Sequence, residues 1–168
     1  MKLRIVLPVL LLFISESRMN AQDFDTQLEA MAQALAEKID TKNISKVAVW
    51  GFLSEDNQQN DFGNFLTDDF SIYLVNHSES FAVVERNHLT VILKEHRLNA
   101  EGYIDEKTTK QLGKISAADA LVIGTYTIFN SEIRLRVKVL DTETALQFAG
   151  SVGTLPMNAN IAQRLGKL

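Results

Sequence analysis

Glu132-Ile-Arg-Leu-Arg-Val-Lys-Val-Leu140 is the stretch that decides the fold. Ile133, Leu135, Val137 and Val139 fall on one side of an extended chain, and Arg134, Arg136 and Lys138 fall on the other. A period of two marks a strand with one face in a core and the other in water. The same row argues against a membrane hairpin. A cation near the bilayer midplane costs roughly 2–4 kcal/mol on a lipid-facing strand, and the segment is short against the roughly 9–11 residues of a barrel strand. The basic row is expected first to pair with acidic residues on a neighbouring strand or helix, and otherwise to dock an acidic partner. Arg134, Arg136 and Lys138 are therefore the candidate partner-contact residues.

Strand signals continue on both sides. Ala120 to Phe129 is apolar and β-branched, and Asn130-Ser131 is a turn. Asp141 to Thr144 is another turn, and Leu146 to Leu155 is a weaker strand loosened by Gly150 and Gly153. Three strands joined by short turns predict an antiparallel meander. Pro156 to Leu168 reads as a tail with a short helix.

Upstream the period changes. Asp105 is placed to cap a helix running to about Ser116 over Leu112 and Ile115, and Asn87 to cap one over His88 to Leu98. Phe81 to Val84 is a short strand. Asp61 is placed to cap a helix carrying Phe62, Phe65, Leu66, Phe70, Tyr73 and Leu74 along one side. Leu53 to Asn60 is a polar, acidic loop. Lys46 to Phe52 reads as a buried strand. Before it, Phe24, Leu28, Met31, Leu35 and Ile39 recur at helical spacing, with Asp23, Asp25 and Glu29 early and Lys38 late, as the helix dipole favours. The expected fold is α/β (α+β): a mixed sheet with a C-terminal antiparallel three-stranded meander and helices packed on it.

The first residues have another character. Lys2 and Arg4 precede an apolar run from Ile5 to Ile14, and a polar stretch ends at Ala21, the layout of a secretion signal. The run is too short for a spanning helix of roughly 20 apolar residues. The chain has no cysteine, so an exported domain must rely on its core, and Gln22 stands where a lipoprotein carries its lipidated cysteine. The expected organisation is a signal peptide over 1–21, an amphipathic helix over 22–42, an α/β domain over 43–156 and a tail over 157–168. The net charge is −4, and loss of the basic leader makes the remainder more acidic, so nucleic acid and anionic lipid are not expected partners.

No catalytic constellation is visible. There is no Gly-x-Ser-x-Gly elbow, phosphate loop or dinucleotide fingerprint. His88 and His96 are two helical turns apart, about 12 Å at 1.5 Å per residue, too far for one metal. Asp68 and Asp69 are adjacent on a helix and diverge, and Glu55, Asp56 and Asp61 lack the ligand spacing of a calcium loop. No catalytic, cofactor or metal residue is expected. Trp50, Tyr73, Tyr103 and Tyr126 are the aromatic residues that a small-ligand or glycan site can draw on.

An ordered series of motifs carries a family resemblance. Lys46-Val-Ala-Val-Trp-Gly-Phe52 is followed by Gly63-x-x-Leu66-x-x-x-Phe70-x-x-x-Leu74, Phe81-Ala-Val-Val-Glu-Arg86 and Leu93-Lys-Glu95-x-x-Leu98. Gly113, Ala117-Ala-Asp119-Ala-Leu-Val-Ile-Gly124 and Val139-Leu-Asp141-x-x-Thr144 complete it. The series, from Lys46 to Ser151, resembles the FlgO-type and CsgG-like envelope domains of Gram-negative bacteria. That resemblance implies a mixed α/β domain in the periplasm or at the outer-membrane periphery. It implies work by assembly and contact, without turnover, on envelope proteins of unstated identity or as a homo-oligomer. The chain departs from the best-known members in lacking the lipidated cysteine and the inserted transmembrane hairpins, so direct membrane insertion is not expected. The alternative is a periplasmic small-ligand or glycan-binding domain. Gly63, Arg86, Asp119 and Gly124 are expected to specify the fold; Arg86 is placed to pair with Asp119 or with a backbone carbonyl.

Overall fold

The computed structural model describes residues 13–84 and 105–165, with side chains from Asp23 onward. Helix α1 spans Phe13–Asp40, strand β1 Lys46–Leu53, helix α2 Asp61–Asn76 and strand β2 Ala82–Val84. Helix α3 spans Glu106–Ser116, and strands β3, β4 and β5 span Ala120–Phe129, Glu132–Asp141 and Gln147–Pro156. Helix α4, Ala159–Arg164, follows. The helix expected over His88 to Leu98 lies outside the described residues, as do the first twelve residues of the expected signal.

The five strands form one mixed sheet in the order β2-β1-β3-β4-β5. β1 pairs in parallel with β2 and β3, and β3, β4 and β5 form the expected antiparallel meander. A register shift between Val49 and Gly51 turns Trp50 out of the β1–β3 ladder. The β1–α2–β2 unit supplies the helical crossover that parallel neighbours require.

The alternation read in β4 holds at every position. Ile133, Leu135, Val137 and Val139 are buried, while Arg134, Arg136 and Lys138 are exposed. The buried face carries α1 and α2. The whole α1 stripe from Phe24 to Ile39 is buried, and the helix packs on β5 and α2. Phe52 meets Phe70 edge-on at 5.2 Å between centroids, and Phe62 meets Tyr126 likewise at 5.1 Å. Such pairs add about 0.5–1.5 kcal/mol each beyond burial. A smaller cluster of Ala48, Leu112, Ala118 and Leu121, flanked by Trp50 and Ile123, seats α3 on the other face.

Two helix starts follow from cap chemistry. Asp105 accepts from the Thr108 N–H at 2.7 Å, as the sequence predicts. For α2 the cap is Asn60, one residue before the expected Asp61: its Oδ1 accepts from the Gly63 N–H at 3.0 Å. The Tyr126 hydroxyl donates to the same oxygen at 2.8 Å, which ties the cap to β3.

Candidate functional site

The motif residues expected to specify the fold are held in packing and backbone contacts. A Cβ on Gly63 would collide with the carbonyl oxygen of Phe52, so glycine lets α2 lie directly on β1. A Cβ on Gly124 would collide with the ring of Phe52, so the approach there is a neighbouring strand's side chain. Asp119 Oδ2 accepts from the N–H groups of Ser45 and Lys46 at 2.8 and 3.0 Å, which fixes the start of β1. Arg86, the expected partner of Asp119, lies outside the described residues.

The basic row sits on the sheet face opposite α1 and α2. Cross-strand register places Lys138 between Ile123 and Gly150, Arg136 between Thr125 and Val152, and Arg134 between Thr127 and Thr154. Arg136 Nη1 donates to Thr127 Oγ1 at 3.3 Å. No carboxylate of the described residues stands within ion-pair distance of any of the three, so the expected internal pairing is not found there. Glu132 shares their face two residues from Arg134 without forming an ion pair, and Asp25 and Asp69 lie together on the α1–α2 side, with the sheet and its core between them and the basic row.

That acidic side is electrostatically strained. Burial pushes the Asp69 carboxyl above its ordinary value, and the neighbouring Asp25 and Asp68 push it further, against the opposing pull of Arg164. Burial also raises Asp25 and Tyr73. The loop carboxylates behave oppositely. Hydrogen bonds from the backbone and side chain of Thr108 lower Asp105, and those of Thr144 lower Asp141.

Two apolar side chains share the basic face. Phe129 ends β3 with 52% of its surface exposed, and Val152 stands beside Arg136 with 60% exposed. An aromatic anchor, an aliphatic anchor and two arginines on one open surface is a composition enriched in protein interfaces. Sequence reading found the cations by their period but missed Phe129 and Val152. Each lay in a run whose alternation was too blurred to assign a face.

Nothing else among the described residues gathers comparable chemistry. A depression of ≈ 1040 Å³ beside α3 is lined by groups of mixed charge, among them Lys107, Lys110, Lys114, Asp119 and Glu143. The aromatic residues weighed for ligand stacking are dispersed: Trp50 packs on the α3 cluster, Tyr73 and Tyr126 join the opposite core, and Tyr103 lies outside the described residues. His77 bonds Glu29 at 3.0 Å, and no group of metal-ligating side chains occurs among the described residues. His88 and His96 lie outside them. No helix of the described residues is long and apolar enough to cross a membrane.

Comparison with known proteins places this architecture. The structure is similar to the C-terminal domain of LpoB from Salmonella enterica, with a TM-score of 0.66 at 12% identity over 80% of this chain and 99% of that one. It is also similar to the LpoB C-terminal domain from Escherichia coli, with a TM-score of 0.61 at 12% identity over 77% and 98% of the two chains. Lipoprotein GNA1162 from Neisseria meningitidis matches with a TM-score of 0.55 at 11% identity over 69% and 85%. These likenesses show the fold. No curated protein matches the chain in sequence. The family model described as curli production assembly/transport component CsgG matches residues 27–137, from α1 into β4. With more than half its length covered by that match, the chain belongs to the CsgG family.

Proposed function

We propose that this protein is an exported, non-enzymatic envelope component. It works as an assembly or interaction module at the periplasmic side of the outer membrane. The face of β4 and β5 that bears the basic row, with the Phe129 end of β3, is its contact surface. The observation that carries the reading is the row Arg134, Arg136 and Lys138, exposed beside Phe129 and Val152 and in no ion pair with the described residues, with Glu132 at its end the one carboxylate described on the same face of β4. Three cations to one carboxylate, around apolar anchors, suit a partner that brings carboxylates. Charge complementarity of this kind raises the association rate and selects the partner. Family membership and the signal-like N-terminus support the envelope setting.

Site-specific photocrosslinking in cells tests this reading. A photoreactive residue at Arg136 is expected to capture an envelope protein or a second copy of the chain, and one at Lys107 on α3 to capture none. Capture from Lys107 with silence at Arg134, Arg136 and Lys138 would overturn the assignment of the face.

A further inference from the structure

Among the described residues strand β5 is an edge of the sheet, one strand away from the basic row. Gln147 to Pro156 contains no charged residue. Edge strands are usually guarded by charges, prolines or covering elements, because their free N–H and C=O groups template another strand. In an antiparallel ladder each residue turns both backbone groups to the same side, and successive residues alternate.

Two contacts fix which residues of β5 turn outward. The Met157 N–H donates to the Ser131 oxygen at 2.8 Å, one step beyond the Glu132–Pro156 pair. That assigns the odd-numbered residues to the bond with β4. Lys38 Nζ donates to the Gly150 oxygen at 2.9 Å, so this even-numbered carbonyl points away from β4, and the lysine guards that end of the edge while leaving Val152 and Thr154 beyond it. Gly150, Val152 and Thr154 are the outward set, and Pro156, which has no N–H, falls in the same phase.

The same three residues stand beside Lys138, Arg136 and Arg134 in register. They are small: a glycine, a valine and a threonine. Neighbouring strands are about 4.8 Å apart, so an added strand would lie about 9.6 Å from β4. Long cationic side chains reach across small neighbours over that span to meet carboxylates on the added strand.

We propose that the edge of β5 takes up an extended acidic segment of the partner as an additional strand. Its alternate Asp or Glu side chains meet Arg134, Arg136 and Lys138 across β5, and its main chain bonds Val152 and Thr154, beyond the Gly150 carbonyl that Lys38 holds. Main-chain bonds supply the affinity of such strand addition and alternate side chains its selectivity. The proposal rests on the contact-surface reading above and specifies the partner's conformation and charge.

The test uses the full chain and a ten-residue peptide that alternates Glu with Val and Thr. Comparison peptides replace every Glu by Lys, or N-methylate alternate amides while keeping the charge. The acidic peptide is expected to bind and to slow amide exchange at Val152 and Thr154. The Lys peptide is expected to bind at least about tenfold more weakly, and one of the two N-methylation phases to abolish binding. Because these changes are in the probe, no loss of folding can imitate them. Binding without protection of the β5 amides, binding indifferent to N-methylation, or no binding of the acidic peptide would overturn strand addition. The last result leaves the crosslinking experiment free to uphold or reject the face itself.

Discussion

Gly63 shows how a single atom sets the spacing between layers. Its missing Cβ would meet the Phe52 carbonyl oxygen, a backbone atom in the middle of the sheet that cannot swing aside. Gly63→Ala is therefore expected to cost roughly 1–3 kcal/mol, the usual range for overpacking. That exceeds the gain of about 1 kcal/mol from replacing a helical glycine. Gly150→Ala is the milder case: its Cβ would stand 3.1 Å from the Gln147 side-chain end and 3.2 Å from the Val137 carbonyl oxygen, and the change is expected to cost less than Gly63→Ala. Urea unfolding checks both, with unchanged slopes and the larger fall in midpoint for Gly63→Ala. The same scale explains a boundary the sequence left open. Asn60 and Asp61 are adjacent and both suit a cap. The choice falls to Asn60, whose oxygen also receives the Tyr126 hydroxyl, a contact made across the fold.

At the scale of elements, legibility followed periodicity. The α1 stripe and the β4 alternation each repeat often enough to assign a face unaided, and every named position in them is buried or exposed as expected. Strand β5 repeats poorly because Gly150, Ser151 and Gly153 carry little side chain, so its open edge was not legible. The basic row was legible as residues but not in its pairing. Periodicity orients a strand without saying which charges the topology brings near it. The α1–α2 pair carries a separate, titratable consequence. Burial first, then Asp25 and Asp68, raise Asp69 above the ordinary carboxylate value of 3.8. A raised acid disfavours its charged form in the folded state, so its ionisation withdraws stability as pH rises from the ordinary value through the folded one. Asp69→Asn is expected to raise stability slightly near neutral pH, by about a few tenths of a kcal/mol after solvent screening and loss of the Arg164 attraction, and with it Tm. The gain should vanish below the ordinary carboxylate range, where the acid is protonated in both states. Thermal unfolding of both proteins across pH checks the sign.

For the molecule as a whole, the sheet separates the α1–α2 layer, where Asp25 and Asp69 meet, from the face that carries the basic row, and α1 holds that layer in place. The buried side chains described in α1 begin at Phe24, beyond the expected cleavage after Ala21. Removing residues 1–21 therefore takes away none of the stripe from Phe24 to Ile39. The shortened chain is expected to unfold in one cooperative transition with a Tm close to that of the full chain. Removal through Asp40 should behave differently. Phe24, Leu28, Leu35 and Ile39 are each 0–2% exposed, and the loss of one such side chain costs about 2–5 kcal/mol. Together these losses are as large as the roughly 5–15 kcal/mol that holds a domain folded. That truncation should leave β5 uncovered on its core face and abolish the cooperative transition. Calorimetry on the two truncations distinguishes a leader from a structural helix. A large loss of Tm on removing only residues 1–21 would place the start of the folded unit earlier and count against cleavage there.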